Sequence, residues 1–179
     1  MMTAGPQTAG MVDPLAIYQT MLDFVSDAVL RGDVAQYLAA IALPYTINTE
    51  TKRFDLTTTE SLTATLRCVS GALRRQGVTD YLRLGREANY VTRHQIVGTH
   101  YTHIMQGDER IAPPYIASQT LVFDGSVWRF SAARYAIAND TLPFTFPQAG
   151  TDPDRLPFHP PGGGTHGGAP HPPHPRKTP

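Results

Sequence analysis

Apolar residues recur at three- and four-residue spacing in the first half of the chain, a pattern typical of amphipathic helices. Asp13 before Pro14 predicts the start of the first helix, because Asp caps a helix N-terminus and Pro suits its first turn. Gly32 predicts its end. The apolar stripe between them consists of Leu15, Tyr18, Leu22, Val25 and Val29.

The same spacing predicts two more helices. A short helix begins after Asp33, carries Val34, Tyr37, Leu38 and Ile41 on one face, and ends at Pro44. The third helix begins at a capping box over residues 57–60 and ends near Gly77. Its apolar stripe consists of Leu62, Leu66, Val69 and Leu73.

Extended segments separated by turn residues predict six strands. Two are short, at residues 45–49 and 54–56, and four are long, at residues 80–93, 95–106, 115–123 and 127–138. Asp124-Gly125 between the last two is a strong hairpin signal. Helices gathered before a run of strands indicate an α+β fold, with three helices packed on one face of a curved antiparallel sheet.

The ends of the chain differ from its centre. Residues 146–179 contain ten Pro, six Gly and four His, and this composition predicts a disordered tail. Residues 1–11 are expected to form a flexible leader. The folded domain is therefore predicted over residues 12–145.

Composition excludes several classes of function. Apolar residues make up 41% and charged residues 17%, a normal globular balance. Fifteen Lys and Arg offset fifteen Asp and Glu, which argues against nucleic acid as a partner. No apolar run is long enough to cross a membrane. Cys68 is the single cysteine, so we expect no internal disulfide and no Cys-based zinc site. The first residues lack the charged and apolar regions of a signal peptide, so we expect a cytoplasmic location. We also expect no bound metal and no cofactor.

Two pieces of sequence carry a family resemblance. Arg31-Gly32-Asp33 followed by Tyr37 joins the first two helices, and TLVFDGSVWRFSAARYAI at residues 120–137 forms the final hairpin. In this order the elements resemble the nuclear transport factor 2-like superfamily over about residues 14–140. The resemblance implies a cone-shaped roll. It also implies either an isomerase, cyclase or dehydratase without a cofactor, as in SnoaL-like cyclases, ketosteroid isomerase and scytalone dehydratase, or a carrier or interaction module.

The catalytic residues of these relatives have no clear counterparts. The ketosteroid isomerase base would fall at Thr49, and Glu50 points to the other face of the strand. Scytalone-dehydratase-like sites need a His and an Asp; His100 is available, but no acid can be placed opposite it.

His100 is nevertheless the candidate base. The strand at residues 95–106 alternates two sets of side chains, and we expect the set with His100, flanked by Ile96 and Ile104, to face the helices. A partly desolvated His can act as a base near neutral pH. Two alternatives stay open: a purely structural His100, or the opposite phase with His103 inside.

The resemblance further implies a ligand pocket between helices and sheet. Its expected wall comprises Tyr18, Leu22, Tyr45, Ile47, His100, Trp128 and Arg134. The tyrosines could equally be ordinary core residues, and Arg134 could lie at the rim. Trp128 is expected in the core.

We expect this pocket to bind a small apolar ligand, with acid–base chemistry if the protein is an enzyme. The alternative is a non-catalytic dimeric interaction module. In either case a homodimer is predicted through the outer face of the sheet, where Val97, Tyr101 and Met105 lie. Arg83, Arg86 and Arg93 are expected along an edge, where charge prevents strand addition, or else facing acidic partners.

Overall fold

A computed structural model of the protein describes residues 12–138 and 140–144. The domain predicted over residues 12–145 contains these residues, and its bounds stay a prediction. The predicted leader, residues 1–11, and the predicted tail, residues 146–179, lie outside the described residues.

Three helices form where the periodic pattern predicts them: α1 (Pro14–Arg31), α2 (Val34–Ala40) and α3 (Thr59–Arg75). The Asp13 carboxylate accepts from the Leu15 amide at 3.0 Å, and Asp33 accepts from the Gln36 amide at the same distance. Both caps confirm the predicted helix starts. Gly32 ends α1 with a positive φ of 67°, a conformation in which side chains with a Cβ are strained.

Two details of the helices differ from the prediction. The chain leaves α2 at Ala40 rather than at Pro44, because Ile41 already adopts extended backbone angles and pairs with the sheet. The α3 cap is Thr58, not Thr57. Ser61 supplies the reciprocal hydrogen bond that the sequence assigned to Glu60.

The strands are β1 (Ile41–Asn48), β2 (Arg53–Leu56), β3 (Asp80–Thr92), β4 (Gln95–Gln106), β5 (Glu109–Arg110), β6 (Tyr115–Phe123) and β7 (Trp128–Tyr135). They form one sheet in the order β2-β1-β7-β6-β4-β3, with β5 paired to β4. The α+β class is confirmed. The sheet is mixed rather than fully antiparallel, since β1 runs parallel to β7.

The position of α1 over the sheet is set by a close contact with β4. Tyr18 of α1 is fully buried, and its ring lies directly on Gly98. Leu15 and Gln19, on either side of Tyr18, approach Gly85 of β3 in the same way. The two glycines therefore allow α1 to approach the sheet closely enough to close the cone. None of the described helices combines the length and apolar character needed to cross a bilayer.

Candidate site inside the cone

A small cavity lies between the three helices and the concave face of the sheet. Its volume is about 30 Å³, which is room for roughly one or two water molecules. Aliphatic and aromatic side chains form most of its wall. The polar groups on the wall are those of Tyr37, Tyr45, Thr65, Tyr81, Arg83, Gln119 and Tyr135.

Arg83 is the charged group of this cavity. Its side chain is only 3% exposed. Nε donates to Ser26 Oγ at 2.8 Å and Nη2 donates to the Leu22 carbonyl oxygen at 3.0 Å, so both bonds tie the guanidinium to α1. The guanidinium carbon also lies 5.4 Å from the centre of the Tyr81 ring.

The position of Arg83 corrects the sequence interpretation. Its strand is an edge strand, as expected, but the side chain points into the cone instead of lying along the edge. Alternation places Tyr81 inside with it and leaves Leu82 and Leu84 exposed. Tyr81 and Arg83 share one face of the strand, and Leu82 and Leu84 share the other. Hydrophobicity alone would place the two leucines inside, so the sequence pattern favours the wrong face.

Three of the tyrosine hydroxyls around the cavity, those of Tyr37, Tyr45 and Tyr135, are held neutral by burial. Burial raises the pKa of Tyr135 to about 12 and raises the pKa values of Tyr37 and Tyr45 above their usual range. Gln119 Nε2 donates to the Tyr135 hydroxyl at 3.2 Å. Within the described residues Gln119 Oε1, although buried, has no hydrogen-bond partner. The cavity thus offers a cation, neutral hydroxyl donors and a free acceptor.

His100 lies next to the cavity but is not part of its lining. It is fully buried on the inner face of β4, so the predicted strand phase is confirmed and His103 lies on the outer face. Its Nδ1 is 2.8 Å from the Tyr18 hydroxyl, which is also 3.0 Å from the Gly98 carbonyl oxygen. Burial lowers the pKa of His100 to about 3, with a smaller contribution from the positive charge of Arg83.

The protonation of this pair follows from the shared hydroxyl. When Tyr18 donates to the Gly98 carbonyl, the Nδ1 of His100 carries the proton and donates to Tyr18. Nε2 then has a free lone pair, and no described residue donates to it. A neutral imidazole with a free lone pair has the form that a base requires, while its role in catalysis stays a prediction.

The residues predicted to bind the ligand divide into three groups. Tyr45 and Ile47 line the cavity. Tyr18 and Leu22 are fully buried on α1 but do not line the cavity, and Tyr18 contacts His100. Trp128 and Arg134 lie elsewhere.

Arg134 is exposed because of a β-bulge in β7. Thr120 pairs with Ala132 while Leu121 pairs with Phe130, so Ser131 is an extra residue in the strand. The extra residue reverses the alternation, and a residue predicted on the inner face points outward.

Trp128 is half-buried rather than a core residue, and it lines a second depression outside the cone. This surface hollow has a volume of about 520 Å³ and an almost wholly apolar wall. Ile17, Met21 and Phe24 of α1 form one side, and the β6–β7 turn with Val127 forms the other. The sequence contained a signal for it, since these α1 residues are apolar yet lie off the inner stripe.

Other candidates from the sequence are not brought to the cavity. Glu50, next to the position of the ketosteroid isomerase base, is exposed. The described residues contain no group of three or more His, Cys, Asp or Glu side chains arranged to hold a metal ion. The cavity chemistry therefore rests on Arg83, Gln119 and the tyrosines.

Comparison with known proteins finds similarity in structure but not in sequence. No family model matches it, and no curated protein matches its sequence. A nuclear transport factor 2-like protein of unknown function from Shewanella oneidensis superposes with a TM-score of 0.55 at 10% identity, covering 69% of this chain and 98% of that one. A cystatin-like protein of unknown function from Nostoc punctiforme gives 0.53 at 12% identity, covering 69% and 90%.

The protein LinA is a further structural match, with a TM-score of 0.51 at 12% identity, covering 68% of this chain and 83% of LinA. At these identities the matches establish the shared fold and leave the activity open. They agree with the fold that the sequence resemblance implied.

Proposed function

We propose that the protein, which has the nuclear transport factor 2-like fold, binds a small organic ligand in the cone between its helices and sheet. The observation that supports this most is the convergence of Arg83, Gln119, Tyr45 and Tyr135 on one enclosed cavity with apolar walls. Ligand sites in proteins combine such walls with a few well-placed polar groups. The polar groups favour a ligand that is more polar than the small apolar one expected from sequence.

We further propose that acid–base chemistry could act on the bound ligand. Tyr45 and Tyr135 are neutral donors that could bind a carbonyl oxygen or an oxyanion. His100 would act as the base only if a bound ligand reached its Nε2. Since His100 is not part of the cavity lining, binding is proposed first and turnover depends on it.

Isoleucine methyl NMR can test where a ligand binds. Ile47 lines the cavity, Ile17 lines the surface hollow, and Ile116 is 41% exposed on the outer face of the sheet. A screen of small carbonyl compounds, alcohols, amides and organic acids is expected to yield binders that shift the Ile47 methyl signal. Shifts confined to Ile17 or Ile116 would contradict binding in the cone, as would a screen in which no compound of any class moves Ile47.

A dimeric module is the second candidate, supported by a row of apolar side chains across the outer face. Leu84, Tyr101 and Ile116 are paired neighbours on β3, β4 and β6. Their exposed fractions are 51%, 36% and 41%. Contiguous exposed apolar residues of this kind usually mark an interface. We propose that a second copy of the chain covers this row.

Replacing one residue of the row by a charge should separate the two copies. Leu84→Asp is expected to give a monomer at protein concentrations where the unmodified chain sediments as a dimer, because the interface would then bury an unpaired carboxylate. Val127→Asp is the matched control, since Val127 is 42% exposed but lies in the hollow outside this row. A monomeric unmodified chain, or a dimer lost only in Val127→Asp, would contradict the outer-face dimer.

A further inference from the structure

The guanidinium of Arg83 is a buried charge for which the described residues provide no counter-ion. The ion pairs in the described part of the chain involve other arginines, all on the surface. The partners of Arg83 are a neutral hydroxyl and a neutral carbonyl on α1. Buried charges in proteins are normally paired, because removing an ion from water is costly unless an opposite charge compensates.

The ionisable groups around Arg83 do not supply the missing negative charge. Tyr37, Tyr45 and Tyr135 line the same cavity, and burial keeps their hydroxyls protonated. His100 and Tyr18, which do not line the cavity, are neutral as well, because burial lowers the pKa of the imidazole and raises that of the phenol. The cone interior therefore carries a net positive charge near neutral pH.

We propose that the ligand of the cone is a small carboxylate, held with its carboxylate group against the Arg83 guanidinium and the cavity tyrosine hydroxyls. This inference rests on the proposed function and specifies its ligand class. A carboxylate matches the single charge of Arg83. Nε and Nη2 each already donate one hydrogen bond to α1, so the carboxylate would be held by the remaining N–H groups of the guanidinium. The cavity volume of about 30 Å³ admits a carboxylate group in place of one or two water molecules and excludes a bulky polyanion.

Acetate and acetamide form a matched pair of probes, since they have nearly the same shape and differ in charge. In buffers of equal ionic strength near neutral pH, acetate is expected to raise the melting temperature in a saturable way and to shift the Ile47 methyl signal. Acetamide and sodium chloride at the same concentrations are expected to do neither. A ligand that binds only the native state stabilises it in this way.

Arg83→Met tests the contribution of the charge. Met keeps the apolar stem of the side chain as far as the position of Nε and removes the charge. We expect acetate to bind about tenfold more weakly or worse, because a charge-assisted contact is lost. Arg86→Met is the matched control. Arg86 lies on the same strand but is exposed on the outer face, stacked on Tyr101, and its replacement should leave acetate binding unchanged.

The unmodified protein gives an independent readout if Arg83→Met does not fold. Nuclear Overhauser contacts from the acetate methyl group are expected to the ring protons of Tyr45 and Tyr135. Contacts to surface residues alone, equal binding of acetamide, or equal stabilisation by chloride would overturn the carboxylate assignment. If neutral compounds shift the Ile47 signal while acetate does not, the carboxylate assignment is overturned but the cone remains a ligand site. If no compound of any class binds, both the carboxylate assignment and the proposed ligand site are overturned.

Discussion

Acidification below pH 6.5 is expected to destabilise the protein steeply, because His100 must remain neutral in the folded state. Its pKa is lowered from 6.5 to about 3 on folding. Between these values the unfolded chain binds a proton that the folded chain does not, so the free energy of unfolding falls as the pH falls. The expected slope is about 1.4 kcal/mol per pH unit from this one group.

The measurement is a series of urea unfolding curves above the ordinary carboxyl pKa values. These are 3.8 for Asp and 4.5 for Glu, so a window from pH 6.5 down to about 5 isolates the histidine. At lower pH, protonation of carboxylates such as Asp124, whose pKa backbone hydrogen bonds hold down, adds to the loss. The contribution of His100 to the slope therefore has to be measured above about pH 5.

His100→Gln should flatten the slope in this window, since an amide can bond to the Tyr18 hydroxyl and does not titrate. His94→Gln is the matched control, because His94 is exposed in the β3–β4 turn and its removal should leave the slope as it was. Near neutral pH we expect His100→Ala to lower stability by about 1–3 kcal/mol, because the Tyr18 hydroxyl loses its hydrogen bond with Nδ1 and keeps only the one to the Gly98 carbonyl. An unchanged slope in His100→Gln would show that another group causes the acid sensitivity.

The inner face of β4 could be predicted because nothing interrupts its alternation. Ile96, His100 and Ile104 are all buried, and the period of two extends over the whole strand. The two ends of α1 were predictable for a related reason. Asp13 and Gly32 act through local backbone chemistry that does not depend on the rest of the fold.

Arg134 and Arg83 show where such reasoning fails. One extra residue in β7 reverses the face of every residue after it, and Ser131 carries no sequence mark of a bulge. Arg83 is inside because α1 provides Ser26 Oγ and the Leu22 carbonyl as acceptors. That complementarity arises only when helix and strand are packed together, more than fifty positions apart in the sequence.

The parallel pairing of β1 with β7 was also beyond the sequence pattern. Hairpin signals identify strands that are neighbours along the chain, such as β6 and β7 around Asp124. β1 and β7 are neighbours in the sheet, although β2 to β6 lie between them along the chain. This pairing brings Tyr45 of β1 and Tyr135 of β7 to the same cavity, so the polar cavity itself depends on a pairing that local signals do not show.

Gly98→Ala is expected to be strongly destabilising, because the new methyl group has no space. A Cβ at this position would lie 2.8 Å from three carbon atoms of the Tyr18 ring. The ring cannot easily move away. Its hydroxyl is held by the Gly98 carbonyl and His100, and its side meets Phe130 edge-on at 6.2 Å. Overpacking of this kind costs about 1–3 kcal/mol.

Gly71→Ala is the matched control in the same protein. Gly71 lies within α3, and a Cβ there meets only the mobile end of Arg75 at 3.3 Å. Since Ala is a better helix former than Gly, this change should be neutral or stabilise by up to about 1 kcal/mol. Urea unfolding of both variants compares the same chemical change at a crowded and an open position.

A double-mutant cycle with Tyr18→Leu identifies the origin of the loss. Leu lacks the ring that occupies the space over Gly98, so Gly98→Ala should cost much less in the Tyr18→Leu background than alone. The methyl group should also shift the His100 signals in NMR spectra, because displacing the Tyr18 hydroxyl breaks its contact with Nδ1. If Gly98→Ala lowers the free energy of unfolding equally in both backgrounds, the Tyr18 ring is not the reason why position 98 requires glycine. The position of α1 on the sheet would then depend on other contacts.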